Sequence, residues 1–385
     1  MTAFHDLDDF LALPRVSGLA VSPDGLRVVT TISELNEKRT EFVTSVWELD
    51  AAGEQPARRL TRGAKGESSP VFTADGDLLF VAAREVPGSS GEDEPKASLW
   101  RLPAAGGEAV SVLELAGGVS AAHAAREADV TLVTAELLPS ANGVDDDKRL
   151  RALRKDNKIS ALLHTGYPVR HWDHDLGPAQ PHLLALAGGL ERSASGSDSG
   201  VRDLTPSPGG GLREAGVDVS ADGRFVVTSW AVPGPDASIR ETLVRVDVAT
   251  GEHTTIAQDP SADLGSPVIS PDGRAVAFIR ETHSSPERAP RITLCCMEFG
   301  ESFGEVAADW DRWPTSVAWT VDGSNLIVTA DEAGRRPVFV IDPETLSVSR
   351  LTVDDLSYTD VCAAPGGVVY ALRSSYSAPP HPVRI

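Results

Sequence analysis

The stretch LAVSPDGLRVVT, Leu19–Thr30, places apolar residues on both sides of a Ser-Pro-Asp-Gly turn. Proline presets the first turn position and Gly25 tolerates positive φ, so the phrase reads as a hairpin between two buried strands. It returns as PVFTADGDLLFV (Pro70–Val81), VDVSADGRFVVT (Val217–Thr228), PVISPDGRAVAF (Pro267–Phe278) and VAWTVDGSNLIVT (Val317–Thr329). A worn copy is VCAAPGGVVYAL, Val361–Leu372. A degenerate one is VSAAHAAREADVTLVTAE, Val119–Glu136, in which Arg126-Glu127-Ala128-Asp129 replaces the turn. That makes seven units, most of them about 50 residues apart.

Each hairpin is followed by a third short strand, as in SVWELD (Ser45–Asp50), SLWRLP (Ser98–Pro103), TLVRVDV (Thr242–Val248), ITLCCME (Ile292–Glu298) and PVFVID (Pro337–Asp342). A turn and a fourth strand come next, ending Leu-Thr at Leu60-Thr61, Leu204-Thr205 and Leu351-Thr352. Four antiparallel strands per unit, repeated seven times, predict an all-β, seven-bladed β-propeller. A sandwich also has many short strands, but not one phrase at a nearly constant spacing.

The blades are expected at about 16–62, 66–115, 117–205, 212–257, 263–308, 313–352 and 356–385, behind an N-terminal helical arm at 1–15. Blade 3 is stretched. Its segment 142–165 reads as a helical insertion, capped by Asn142, with Asp145, Asp146 and Asp147 at the positive end of the helix dipole and basic residues after them. A basic, partly apolar helix in an acidic protein suggests a docking element. The last blade reads as incomplete: HPVRI, His381–Ile385, supplies its third strand and no fourth follows. An open outer edge is a liability for a sheet, so the expectation is a chain that continues or a partner that finishes the blade.

The net charge is −21, which disfavours nucleic acid and anionic membrane as partners. No stretch approaches the roughly 18 apolar residues of a membrane span. The N-terminus lacks the basic start and apolar run of a signal peptide. Cys295, Cys296 and Cys362 form neither a disulfide framework nor a zinc pattern. Together these point to a cytoplasmic protein with reduced thiols.

No catalytic, cofactor-binding or metal-binding residue is assigned. A serine-hydrolase elbow, G-x-S-x-G, does not occur; the nearest approach is Gly196-Ser197-Asp198-Ser199-Gly200, inside the Ser/Gly-rich loop Ser193–Gly211. His171-Trp172-Asp173-His174 has histidines three apart, which suits one face of a helix but not a strand, so the expected state is a blade-edge loop with Trp172 packed. The Trp-Asp pairs at Trp172-Asp173 and Trp310-Asp311 hold no fixed place in the repeat.

The SPDG and SADG turns at Ser22–Gly25, Ser270–Gly273 and Ser220–Gly223, with the Leu-Thr strand ends, resemble the propeller half of the prolyl oligopeptidase family. The stretch Leu153–Ala187 resembles the third-blade insertion of its acylaminoacyl-peptidase-like branch. That resemblance implies a propeller over a C-terminal α/β-hydrolase domain bearing a Ser-Asp-His triad, admitting short peptides and excluding folded proteins. The N-terminal helix, Phe4–Leu13, would pack on the hydrolase. No position of this sequence matches the triad motifs, so the resemblance implies a gating domain whose hydrolase half is absent from this chain. The alternatives are a free-standing propeller that binds a protein or peptide, and a propeller enzyme with a metal in its central channel.

Overall fold

The computed structural model describes residues 6–84, 95–164, 168–186, 190 and 200–385. It is a seven-bladed β-propeller. Blade 1 comprises Arg15–Val21, Val28–Leu35, Phe42–Leu49 and Arg58–Arg59; blade 2 comprises Glu67–Phe72, Leu78–Ala82, Ser98–Leu102 and Val110–Leu113. Blade 3 is Val119–Ala124, Thr131–Leu137, Gln180–Leu186 and Val201–Asp203; blade 4 is Val217–Val219, Phe225–Pro233, Ile239–Asp247 and His253–Ala257. Blade 5 is Ala262–Ile269, Ala275–Thr282, Ile292–Glu298 and Gly304–Glu305; blade 6 is Pro314–Trp319, Leu326–Ala330, Val338–Ile341 and Val348–Arg350. Among the described residues blade 7 has three strands, Ser357–Ala364, Val368–Ser375 and Ala378–Arg384. All pairings within the blades are antiparallel and run in chain order from the innermost strand outward.

The recurring turn works through its hydroxyl. Ser270 Oγ donates to Asp272 Oδ1 (2.6 Å) and accepts from Ala275 N–H (2.9 Å), tying the turn to the start of the second strand. Ser220 with Asp222 and Phe225, and Thr320 with Asp322 and Asn325, repeat the arrangement. The glycine of one turn packs on its neighbour blade: a Cβ at Gly25 would lie 2.7 Å from Pro365 Cδ, and one at Gly223 would lie 2.7 Å from Val130 Cγ2. The first turns therefore form one ring on one face.

The Leu-Thr strand ends have an equally local cause. Thr61, Thr205 and Thr352 are buried, and their hydroxyls accept from the backbone N–H of Val46 (2.8 Å), Leu183 (2.9 Å) and Val338 (3.0 Å). Each threonine satisfies a third-strand donor where the short fourth strand stops pairing.

Side chains between blades make the core. Phe225, Val227 and Leu243 of blade 4 pack on Ile269, Val276, Phe278 and Met297 of blade 5; burying each is worth roughly 1.5–3 kcal/mol. Among the described residues no strand is exchanged where the ring closes. Blade 7 meets blade 1 through Val28, Ala364 and Tyr370, with Leu19, Val21 and Leu49 against them, and Cys362 Sγ–H donates to Leu19 O at 3.3 Å.

Among the described residues two α-helices of defined extent stand outside the blades. α1, Leu7–Leu11, is a single turn whose first N–H is capped by Asp6 (Asp8 N to Oδ1, 2.8 Å). α2, Val144–Asp156, lies between the second and third strands of blade 3 and is shorter than the 142–165 stretch read from sequence. Its N-cap is Gly143, with no side-chain cap; Asn142 instead donates its N–H to Asp146 Oδ2 (3.0 Å).

Candidate functional site

Antiparallel order divides the propeller's connections between two faces. First-to-second and third-to-fourth strand turns lie on one; second-to-third loops and blade-to-blade connections lie on the other. α1 belongs to the second face, where Arg39 Nη2 donates to Asp8 O (2.9 Å), and so does the whole blade-3 insertion. Exposed apolar side chains are concentrated there. α1 shows Leu7, Phe10 and Leu11; the insertion shows Leu153, Ile159, Leu162, Leu163, Val169 and Trp172; other loops add Ile239, Trp313, Val353 and Tyr376. The opposite face shows only Leu26, Val110, Val321 and Leu346 among the described residues. Among the described residues the apolar exposure is therefore one-sided.

The insertion is fixed at its root by polar contacts. Asp147 is the one buried residue of α2, at 2% exposure. Its carboxylate accepts from Leu138 N–H (2.8 Å) and from Arg151 Nε (2.7 Å). Arg151 Nη2 also donates to Glu136 O (2.9 Å) across Gly117, where a Cβ would collide with that carbonyl. The nearby Glu136 carboxyl is pushed up by burial, against the pull of Arg151, Arg213 and His182. Arg213 Nη1 donates to Pro168 O (3.2 Å), holding the returning strand of the insertion. Trp172, expected to be packed, is instead 90% exposed at the tip of a two-residue hairpin, with φ at 49°. Backbone register sets His171 opposite His174 across that hairpin.

Of the residues weighed for chemistry, Cys295 and Cys296 lie on a strand of blade 5 and Cys362 on a strand of blade 7. Residues 196–199 of the near-elbow lie outside the described residues. The cysteines are free, and burial pushes the thiols of Cys295 and Cys362 up to about 12 and that of Cys296 to about 11, which withholds the nucleophilic thiolate. One pair was not anticipated: His182 Nδ1 lies 2.8 Å from Asp203 Oδ2, an imidazole held by a carboxylate. Its Nε2 is buried with no hydrogen-bond partner, so among the described residues no hydroxyl or thiol stands where a triad nucleophile belongs. Trp310 packs edge-on against Phe339 at 4.9 Å. Among the described residues no group of three or more His, Cys, Asp or Glu is placed to hold a metal ion, and no helix is long and apolar enough to cross a membrane.

No family model matches the chain. Dipeptidyl-peptidase 5 of Aspergillus fumigatus is 26% identical over 364 residues, covering 86% of this chain and 48% of its own length. The chain is a β-propeller related in sequence to dipeptidyl-peptidase 5. It spans about half the length of the curated relatives it matches. Among solved structures, the acylaminoacyl peptidase of Pyrococcus horikoshii superposes with a TM-score of 0.69 at 12% identity, over 98% of this chain and 52% of that one. The β-propeller domain of the Trilobed protease from Pyrococcus furiosus gives 0.63 at 11% identity, over 96% and 92%. At these identities the structural likeness establishes the fold alone; the relation to dipeptidyl-peptidase 5 comes from the sequence match.

Proposed function

We propose that this chain is the non-catalytic propeller domain of a serine-type peptidase of the prolyl oligopeptidase and acylaminoacyl-peptidase family, gating and selecting short peptides for an α/β-hydrolase domain that lies outside it. The observation that carries the reading is the match to dipeptidyl-peptidase 5, which runs through nearly all of this chain and through about half of the relative. The face bearing α1 and the insertion supports it, because a partner domain seated there would cover Phe10, Leu163, Trp172 and Val353 together. Removing those side chains from water is worth about 25 cal/mol per Å² before the costs of association.

A free-standing propeller that binds a protein or peptide is the second reading. It is favoured by the ring closure through Val28, Ala364 and Tyr370, which uses this chain's own residues.

The test is to compare the 385-residue chain with the complete gene product on dipeptidyl and acyl-aminoacyl chromogenic substrates, and to treat both with a fluorophosphonate probe. The proposal expects an inert, unlabelled chain and an active, labelled complete protein. Labelling of the chain itself, or an inactive and unlabelled complete protein, contradicts it.

A further inference from the structure

A groove of about 440 Å³ runs between blades 4 and 5, bordered by the outer strand of blade 4 and the third-to-fourth strand turn of blade 5. Arg245 lines it. Its guanidinium carbon sits 4.0 Å from the centroid of the Phe225 ring and 5.2 Å from that of Phe299, and the two rings stand edge to face. Two aromatic rings thus hold the guanidinium in place. No described carboxylate forms an ion pair with it. The nearby Asp247 carboxylate accepts from the Thr250 N–H (2.7 Å) and Oγ1 (2.9 Å), which lower it most, and feels the Arg245 charge more weakly, without a hydrogen bond between the two.

A permanently charged guanidinium, half-buried and with its donor fork free, is suited to receive a carboxylate. The groove's apolar lining is Ile256, Met297 and Phe299. Asp247, Glu252 and Glu301 also line the groove; their charge opposes any anion and polyanions such as nucleic acid most, so the fitting ligand carries a single carboxylate, held on Arg245, on an apolar body. The bordering strand, His253–Ala257, is the last of its four-stranded sheet, so its outer edge is open to an added extended chain.

We propose that this groove binds the C-terminal residue of a peptide, with its carboxylate on Arg245 and an aliphatic or aromatic side chain against Phe299, Met297 and Ile256. The site lies on the face opposite the insertion and does not depend on the peptidase reading. It stays open when the insertion face is covered.

The experiment is an amide-resolved NMR titration of the 385-residue chain with acetyl-Ala-Ala-Leu, its C-terminal amide, and acetate alone. Saturable shifts at Ile256, Met297 and Gly300 are expected with the free acid, binding about 10-fold or more weaker with the amide, and no comparable response to acetate. Arg245→Gln is expected to weaken the acid to the level of the amide. Equal affinity for acid and amide, shifts centred elsewhere, or no saturation by about 10 mM overturns the proposal. So does an equal response to acetate. The acid-against-amide comparison uses the unaltered chain, so it decides the matter even if the variant does not fold.

Discussion

Asp218 on the inner strand of blade 4 accepts a hydrogen bond from the backbone N–H of Ile269 on the inner strand of blade 5, at 2.6 Å. It joins two blades close to the propeller axis, and it puts a carboxyl group in the interior. Burial pushes that carboxyl up to about 6, against the opposing pull of the Ile269 and Val219 N–H groups and of Arg126. The folded chain therefore keeps a proton that the unfolded chain releases near pH 3.8. Between those two values this group's contribution to stability falls as pH rises. Asp218→Asn cannot titrate, so the variant should gain on the natural chain by about 2 kcal/mol between pH 4 and pH 7. Urea unfolding of both proteins across that range checks it; a pH-independent difference contradicts it.

The turn aspartates act in the opposite sense. Asp322 is lowered to about 2, first by the Thr320 hydroxyl and then by the N–H and hydroxyl of Ser324. Its contribution is fully present above the unfolded value of 3.8 and is lost as pH falls toward 2. Thr320→Val removes the principal donor, so the Asp322 carboxyl should titrate closer to 3.8. Carboxyl-carbon NMR measures this directly, and an unchanged midpoint refutes the role given to the hydroxyl.

Thr205 is fully buried, and its hydroxyl is the acceptor for Leu183 N–H. Thr205→Val keeps the volume and leaves that donor unpaired, a loss of about 1–3 kcal/mol. Chemical denaturation reads the loss. Thr205→Ser, which retains the hydroxyl, should recover most of it.

Asp147→Ala should release α2 without unfolding the blades. It strips partners from Leu138 N–H and Arg151 Nε, and a 13-residue helix has little stability of its own in water. Amide exchange in 144–156 should accelerate by about 10-fold or more, while Val226, Val276 and Val328 stay protected. Uniform acceleration across the blades would show instead that the insertion supports the whole ring.

The fold was legible because each blade repeats a turn with an internal physical cause. Ser270 and Asp272 need only a neighbouring N–H, so SPDG carries its structure locally. The Leu-Thr endings were visible as a pattern, but their reason was not, since Thr205 acts on Leu183, a residue far from it in sequence. Asp147 was read as a dipole partner and is a buried anchor, because Arg151 lies one helical turn away and Leu138 waits beneath it. A blade-edge loop suggests a packed Trp172; a positive φ at a hairpin tip turns it to solvent instead. The Arg245 groove was invisible for a different reason: Phe225 and Phe299 belong to separate repeats that meet only when blades 4 and 5 stack.

Hydrogen exchange compared between the 385-residue chain and the complete gene product bears most directly on the domain's role. If the propeller serves a hydrolase partner through the insertion face, added protection falls on α1, on α2 through His164, and on the loops carrying Trp313 and Val353, while the ring of Asp-Gly turns is unchanged. Added protection on the turn ring instead, or identical exchange in the two proteins, contradicts that account.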